Sequence, residues 1–370
     1  VFGKNSANIA IGGTGSSTGS GSKEGVKTFT LYQSLEESGF ILNPELVNFY
    51  ENNSLSGVGR GNAPQMGVYL WGLKTGETPY TSYTDEVKNS YASYNDAALF
   101  VITRIGGEGY DLPITMQKSQ TDTTPVEGAK PNSHYLELDQ NESDLLAEIC
   151  ANPAFSKVII IINASQQMEL GFLDDPENED YNAKIKGAVW IGGPGQTGIM
   201  ALGRVLNGTV NPSGRTVDTY TRDFTKDPTW VNFGNTGRYA TMDGETLVNA
   251  SKYFLDYEEG IYLGYKYYET RGFTEKEADP ETTWYEDHVV YPFGYGLSYT
   301  TFTWQLVSSN PSNGASLTSN GTIEVVVRVT NSGSVAGKDV VQLYYTAPYT
   351  AGGIEKSYVT LAEFAKTDII

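Results

Sequence analysis

Three continuous apolar runs in the first half of the chain predict buried β-strands. They cover residues 97–102, 158–162 and 188–191, and apolar side chains do not alternate with polar ones within them. Runs of this length are typical of strands that are covered on both faces, as in a parallel sheet between layers of helices.

Two helices are predicted beside these strands. Asp139 and Glu142 have the spacing of a capping box, and apolar side chains then recur on one helical face. A second helix is predicted to follow Pro194 and to end at residues 207–208. The first part of the chain is therefore predicted to be α/β, a layered α/β sandwich with a mostly parallel sheet.

The pattern changes near residue 300. Strand-like stretches at residues 301–304, 323–329 and 340–345 are separated by turn-forming residues at 310–314 and 331–334. This succession predicts an antiparallel β-sandwich that is incomplete at the end of the chain.

Both ends of the sequence lie within strand-like patterns. The chain opens at Val1–Gly3, followed by a further strand-like stretch at residues 7–11, and it stops at Ile369–Ile370. We therefore expect a fragment, or one piece of a cleaved polypeptide. No targeting signal is visible in it, so the compartment stays unknown.

Composition narrows the classes of partner. The 370 residues carry a formal net charge of −19 with a pI near 4.5, which argues against a nucleic acid or an anionic membrane as partner. No apolar run reaches the 18 residues that a transmembrane helix needs. One cysteine, Cys150, and two histidines argue against a disulfide framework and a structural zinc site.

The segment Gly193–Gly198 fits the pattern G-x-G-x-x-G of dinucleotide-binding loops, and Asp218 lies 20 residues beyond it. Pro194, however, removes a backbone donor from the proposed phosphate loop, and the motif lies far from a first βα unit. We interpret it as a tight turn from strand to helix and predict no cofactor. A protein that binds NAD is the most distant alternative.

A carboxylate between glycines follows the first predicted strand. Glu108 lies in the stretch Arg104–Asp111, next to Gly107 and Gly109. Ligands of open α/β sheets bind beyond the carboxyl ends of the strands, and glycines let the backbone approach a ligand closely. Glu108 is thus a candidate general acid/base. The alternative is an acidic residue in a solvated turn.

Two further segments could contact a sugar. Residues 12–22 are rich in glycine and serine, which predicts a loop that could contact ligand hydroxyls. Residues 257–268 are rich in tyrosine, which suits either sugar rings or the packing of domains. Asn163 begins one of six Asn-x-Ser/Thr triplets, to which the sequence assigns no role.

Taken together, several stretches resemble glycoside hydrolase family 3, the β-glucosidase family. The resemblance spans nearly the whole chain and depends on six blocks in the same order. They are residues 12–16, 105–111, 211–215, 257–265, 291–299 and 331–344.

The resemblance implies an α/β sandwich domain and a fibronectin type III-like domain. It implies that Glu108 is the general acid/base and that Ser16 lines the sugar site. The family often has a basic residue at the position of Leu112, so the electrostatics of this loop differ here. We expect three segments: the α/β sandwich at 1–221, a connecting segment packed on it at 222–299, and the incomplete fibronectin type III-like domain at 300–370.

In the family, the nucleophilic aspartate comes from a TIM barrel, which the resemblance does not place in this chain. The resemblance therefore implies half of a retaining exo-acting β-glucosidase, nearly inert alone, with a β-glucoside or cello-oligosaccharide as substrate. Residues 190–195 and 212–218 favour the group in which the barrel follows rather than precedes this segment. The alternative is a non-catalytic carbohydrate-binding or scaffold protein. Homo-oligomerisation stays open.

Overall fold

The structure is a computed structural model. It describes residues 1–13, 25–60, 72–108, 112–119, 121–175, 177–232, 238–243, 246–253, 257–318 and 320–370. The chain forms two compact units. The first comprises Val1–Asn207 with Tyr220–Glu259, and the second comprises Gly208–Thr219 with Gly260–Ile370. The three predicted segments with limits at 221 and 299 stay a prediction.

The first unit mixes helices with a parallel sheet. Its helices are α1 (Leu31–Glu37), α2 (Pro44–Glu51), α3 (Asn53–Ser56), α4 (Asp85–Ser90), α5 (Gln140–Ala151), α6 (Glu179–Lys184) and α7 (Met200–Leu206). Its strands are β1 (Ala98–Arg104), β2 (Val158–Ala164), β3 (Ile185–Trp190), β4 (Tyr220–Thr221), β5 (Arg238–Asp243) and β6 (Thr246–Tyr253).

The three predicted apolar runs are confirmed as neighbouring parallel strands in the order β1-β2-β3. Phe2 adds a single parallel bridge to Phe100 at the edge of β1. The prediction of a strand at residues 7–11 is wrong, because Lys4–Ala7 form a 3₁₀ helix and the chain then continues without regular structure. All three strands point the same way, so their carboxyl ends lie at one edge of the sheet.

Helices cover the sheet where its strands are apolar on both faces, in β1 and β2, whereas residues of β3 alternate between partly buried and exposed. On one face, Val101 of β1 and Ile161 of β2 are buried with Leu35 of α1 and Leu202 of α7. Helix α5 packs against β1, and Asp139 caps it through the predicted capping box with Glu142. The α/β prediction with a parallel sheet is therefore confirmed for this unit.

The second unit contains helices and antiparallel strand pairs. Its helices are α8 (Tyr265–Ala278) and α9 (Trp284–His288), and its strands are β7 (Val289–Tyr291), β8 (Phe302–Asn310), β9 (Glu324–Asn331), β10 (Val340–Tyr345) and β11 (Thr360–Lys366). Strand β8 pairs with β9, and β10 pairs with β11. Antiparallel pairing is therefore confirmed, whereas the fibronectin type III-like topology stays a prediction. No described helix of either unit is both long and apolar enough to cross a membrane.

A buried arginine ends β1. The guanidinium of Arg104 donates to both carboxylate oxygens of Glu142, at 2.7 and 2.6 Å. It also donates to the backbone carbonyls of Thr103, Tyr135 and Glu137, at 3.1, 2.6 and 2.6 Å. All five guanidinium donors thus have an acceptor, which is the condition for burying this charge. Arg104 joins the end of β1 to residues 135–137 and to the first turn of α5.

Two carboxyl groups are buried close to this pair. Burial, together with the nearby charge of Glu142, raises the pKa of Asp139 to about 7. Burial also raises the pKa of Glu77 to about 8. Backbone N–H groups of Lys4 and Thr78 donate to the Glu77 carboxyl group at 2.9–3.0 Å. Glu77 therefore holds its proton to a higher pH in the folded protein than in the unfolded chain.

Replacing Arg104 should destabilise the fold strongly. Arg104→Met leaves the Glu142 carboxylate buried without its partner, which we expect to lower the free energy of unfolding by about 3–5 kcal/mol. Adding Glu142→Leu should recover part of this loss, because it removes the uncompensated charge. Urea unfolding measures both. The exposed Lys74–Glu127 pair gives the control, and Lys74→Met should cost less than about 1 kcal/mol. Equal losses of unfolding free energy in Arg104→Met and Lys74→Met would contradict the claim that the buried pair stabilises the fold more than an exposed one.

Glu77→Gln should flatten the pH dependence of stability. The raised pKa of Glu77 means that its contribution is present below its ordinary pKa of 4.5 and is lost as the pH rises towards about 8. The loss is at most about 1.4 kcal/mol per pH unit. In urea unfolding at about pH 5 and about pH 8, the wild type should lose more stability on going to the higher pH than Glu77→Gln. Glu37→Gln, at an exposed carboxylate of α1, should follow the wild type. If the stability of Glu77→Gln changed with pH as much as that of the wild type, the raised pKa of Glu77 would be refuted as its cause.

Candidate active site

The predicted acid/base residue lies just beyond the carboxyl end of β1. Glu108 is exposed and follows Arg104 by four residues. Gly107, directly before it, has a φ of 152°, a backbone conformation that residues with a side chain rarely adopt. The chain therefore turns outward from the sheet at a glycine and presents the next side chain to solvent.

A small apolar cluster packs against the residues on either side of this turn. Ile105 is buried with Ala10, Met116 and Tyr135, and Leu112 packs against the same cluster. The backbone N–H of Ile105 donates to the hydroxyl of Tyr135 at 3.1 Å. Because the carbonyl of Tyr135 also accepts from Nε of Arg104, one residue fixes the side chain of Arg104 and the backbone of Ile105. Leu112 thus has a packing role in this loop.

The end of β2 is fixed by an asparagine. The side-chain oxygen of Asn163 accepts from the backbone N–H of Ala10 at 2.6 Å and from the hydroxyl of Thr103 at 3.3 Å. Its amide nitrogen donates to the carbonyls of Ala10 and Gly192, at 2.8 and 2.7 Å. Asn163 therefore uses its full hydrogen-bonding capacity to join β1, β2 and the segments after Phe2 and β3.

The glycines of Gly193–Gly198 have a packing role. A Cβ atom on Gly193 would lie 2.8 Å from Cα of Gly12, and the N–H of Gly195 donates to the carbonyl of Ile11 at 2.7 Å. A Cβ atom on Gly198 would collide with the carbonyl oxygen of Pro194. The segment is thus a turn against which residues 11–12 pack. The helix α7 begins only at Met200, after this turn.

A histidine–glutamate pair stabilises the segment beside Tyr135. Nδ1 of His134 accepts from the backbone N–H of Leu136 at 3.1 Å, so Nε2 carries the proton and donates to Glu169 at 3.0 Å. The imidazole stacks on Phe224, and the backbone N–H of Phe224 donates to the same carboxylate at 2.6 Å. This pair ties residues 134–136 to the chain that follows β2.

A half-exposed tryptophan and a glutamine lie at the same edge of the sheet. The indole N–H of Trp190, the last residue of β3, donates to the carbonyl of Ala164 at 2.7 Å, and the ring is 48% exposed. Gln166 follows β2, and its amide lies against Gly106. The loop of Glu108 thus shares its edge of the sheet with an aromatic ring and an amide.

The predicted site residues are only partly brought together. Glu108 lies at the expected edge of the sheet, and its role as general acid/base stays a prediction. Ser16, and Gly109–Asp111 of the Glu108 motif, lie outside the described residues. Among the described residues, no group of three or more histidine, cysteine, aspartate or glutamate side chains could hold a metal ion.

Sequence reasoning missed the residues that hold this edge. Arg104 and Asn163 are polar residues at the ends of apolar strands, a position where a buried side chain needs partners from several segments. That signal is present in the sequence, but it does not name the partners. Tyr135, His134 and Gln166 carry no such signal, because their contacts come from distant parts of the chain.

Curated relatives of the chain are β-glucosidases. Over 316 residues it is 30% identical to β-glucosidase A of Butyrivibrio fibrisolvens, covering 82% of this chain and 34% of the relative. It is 29% identical to a β-glucosidase of Ruminococcus albus, covering 96% of this chain and 30% of the relative. The chain thus spans about a third of the length of these relatives.

Solved structures that are similar to the chain are also β-glucosidases. A β-glucosidase from Paenibacillus barengoltzii matches with a TM-score of 0.69 and 27% identity, over all of this chain and 33% of the other. β-Glucosidase 3B from Thermotoga neapolitana, solved with glucose, matches with a TM-score of 0.67 and 26% identity, over all of this chain and 42% of the other.

A family model agrees with these likenesses. The model of the glycosyl hydrolase family 3 C-terminal domain matches residues 1–265, which include the parallel sheet, the Glu108 loop and the segments that fix it. The match covers well over half of the chain. The chain therefore belongs to glycosyl hydrolase family 3 and contains the C-terminal domain of that family.

Proposed function

We propose that this chain is the acid/base-bearing portion of a retaining, exo-acting β-glucosidase that hydrolyses terminal β-D-glucosyl residues. One observation carries the proposal: Glu108 is an exposed carboxylate on a glycine-bearing turn at the carboxyl end of β1, in a chain that matches this family. Relatives named as β-glucosidases support β-glucosides as the substrate class, to which we assign cello-oligosaccharides as well.

Glu108 would act in both steps of the reaction. As a carboxylic acid it donates its proton to the glycosidic oxygen while an aspartate of the enzyme forms a bond to the anomeric carbon; the bond between that carbon and the glycosidic oxygen breaks, and the leaving group departs as an alcohol. As a carboxylate it then takes a proton from water, and the water oxygen displaces the aspartate from that carbon. Two carboxyl groups about 5–5.5 Å apart are needed for this retaining route.

We propose that a TIM-barrel domain outside this sequence supplies the second carboxyl group. Glu108 is exposed at the edge of the sheet, whereas Asp139 and Glu142, two acidic groups at the start of α5, are buried in its capping box. Those two carboxyl groups cannot reach a sugar without unfolding the start of the helix. Neither of them is therefore a candidate nucleophile, which supports a nucleophile from another domain.

The proposal extends to the domain organisation. We propose that residues 300–370 form the incomplete fibronectin type III-like domain, after the α/β sandwich of residues 1–221 and the connecting segment 222–299. The antiparallel pairs β8–β9 and β10–β11 support a β-sandwich there. A hydrogen bond within this segment supports it further, because the indole N–H of Trp304 in β8 donates to Asp339, directly before β10, at 2.7 Å.

Glu108→Gln in the full-length protein tests the assignment. Cellobiose has a leaving group that needs a proton, so we expect its kcat/KM to fall by about 10²–10⁴-fold. 2,4-Dinitrophenyl β-glucoside needs no proton for departure, so its kcat/KM should fall much less. Azide should raise kcat for this activated substrate and give β-glucosyl azide, because azide attacks the glycosyl-enzyme without a base.

Glu148→Gln, at an exposed carboxylate of α5, is the matched control and should leave both substrates unchanged. Cellobiose turnover that is unchanged in Glu108→Gln would refute the assignment of the acid/base. A full-length protein that binds glucose but hydrolyses neither substrate would instead support the non-catalytic carbohydrate-binding protein.

A further inference from the structure

Gln166 has a buried donor at the edge of the sheet that carries Glu108. It follows the last residue of β2, Ala164, by two positions. Its amide nitrogen Nε2 is buried, and it finds no hydrogen-bond acceptor in the part of the chain that the structure describes. Buried amide donors in folded proteins are nearly always paired, so this nitrogen calls for an explanation.

The amide lies directly beneath the turn that leads to Glu108. A Cβ atom built on Gly106 would be 3.3 Å from both Cδ and Nε2 of Gln166, closer than side chains ordinarily approach. The absence of a side chain at Gly106 therefore makes room for this amide, two residues before the proposed acid/base. A donor with no acceptor among the described residues thus lies within contact distance of the loop that should face the glycosidic bond.

The polar side chains near the ends of β1 and β2 are paired, unlike the Gln166 donor. Arg104 and Asn163, which end the neighbouring strands, have partners for all their donors. A buried amide without a partner lowers stability, and an apolar side chain of similar length would fill the same space without this penalty. The glutamine is therefore costly to the free protein unless something else supplies an acceptor.

We propose that Gln166 is a substrate-binding residue whose Nε2 donates a hydrogen bond to a hydroxyl oxygen of the sugar at Glu108. An uncharged amide suits an uncharged hydroxyl, and a donor that is already desolvated gains most from a ligand acceptor. This inference rests on the proposed function, because it places the sugar at Glu108.

Gln166→Met in the full-length protein tests the inference, because methionine keeps the length and removes the donor. We expect KM for cellobiose to rise roughly tenfold, the usual cost of one lost hydrogen bond to a ligand, with a smaller change in kcat. The midpoint of urea unfolding should stay the same or rise. Gln166→Ala removes the same donor without filling the space, so it should raise KM similarly and gives a second, independent measurement of the lost hydrogen bond.

Gln140→Met is the matched control. The Gln140 amide donates on the surface to Asp144 at 2.6 Å, so this change should leave KM for cellobiose unaltered. A lower unfolding midpoint for Gln166→Met would overturn the inference, because the amide would then have a partner within the protein. An unchanged KM in both Gln166 variants would overturn it as well.

The two hypotheses fail in different ways. If Glu108→Gln slows cellobiose hydrolysis while both Gln166 variants keep the wild-type KM, the inference fails and the proposed function stands. If Glu108→Gln leaves cellobiose hydrolysis unchanged, the proposed function fails, and with it the placement of the sugar next to Gln166.

Discussion

The buried ion pair between Arg104 and Glu142 is the interaction on which the functional edge of the sheet depends. A guanidinium and a carboxylate in the protein interior lose most of their hydration, so the pair is tolerable only with complete hydrogen bonding. Here the bidentate contact to Glu142 and three backbone carbonyls provide it. These acceptors come from β1, residues 135–137 and α5, so the Arg104 side chain fixes the positions of these three segments relative to one another.

The positions of these segments matter for the proposed chemistry, because a general acid has to be held near the atom that it protonates. Glu108 is four residues beyond Arg104, and the intervening peptide is fixed through Ile105 and Tyr135. Asn163 fixes the end of β2 in the same way, through contacts to three other segments. The site therefore lies on a rigid edge whose outermost turn, at Gly107, carries the carboxylate.

Local patterns predicted the strands and the capped helix because their causes lie within a few residues. Continuous apolar runs became β1, β2 and β3, and Asp139 caps α5 as its spacing indicated. The stretch at residues 7–11 misled, because its apolar residues pack into the core without pairing as a strand. Residues 135–137 and Gln166 could not have been predicted as parts of the site, since their roles arise from contacts across some 30–60 positions of the sequence.

The most direct measurement of the central claim compares two substrates in the doubly substituted protein Arg104→Met, Glu142→Leu. If the buried pair positions the loop of Glu108, kcat/KM should fall far more for cellobiose, whose leaving group needs a proton, than for 2,4-dinitrophenyl β-glucoside. This is the pattern expected when the acid is displaced. An equal fall for both substrates, or no fall for either in a folded protein, would contradict the claim that this pair holds the catalytic loop.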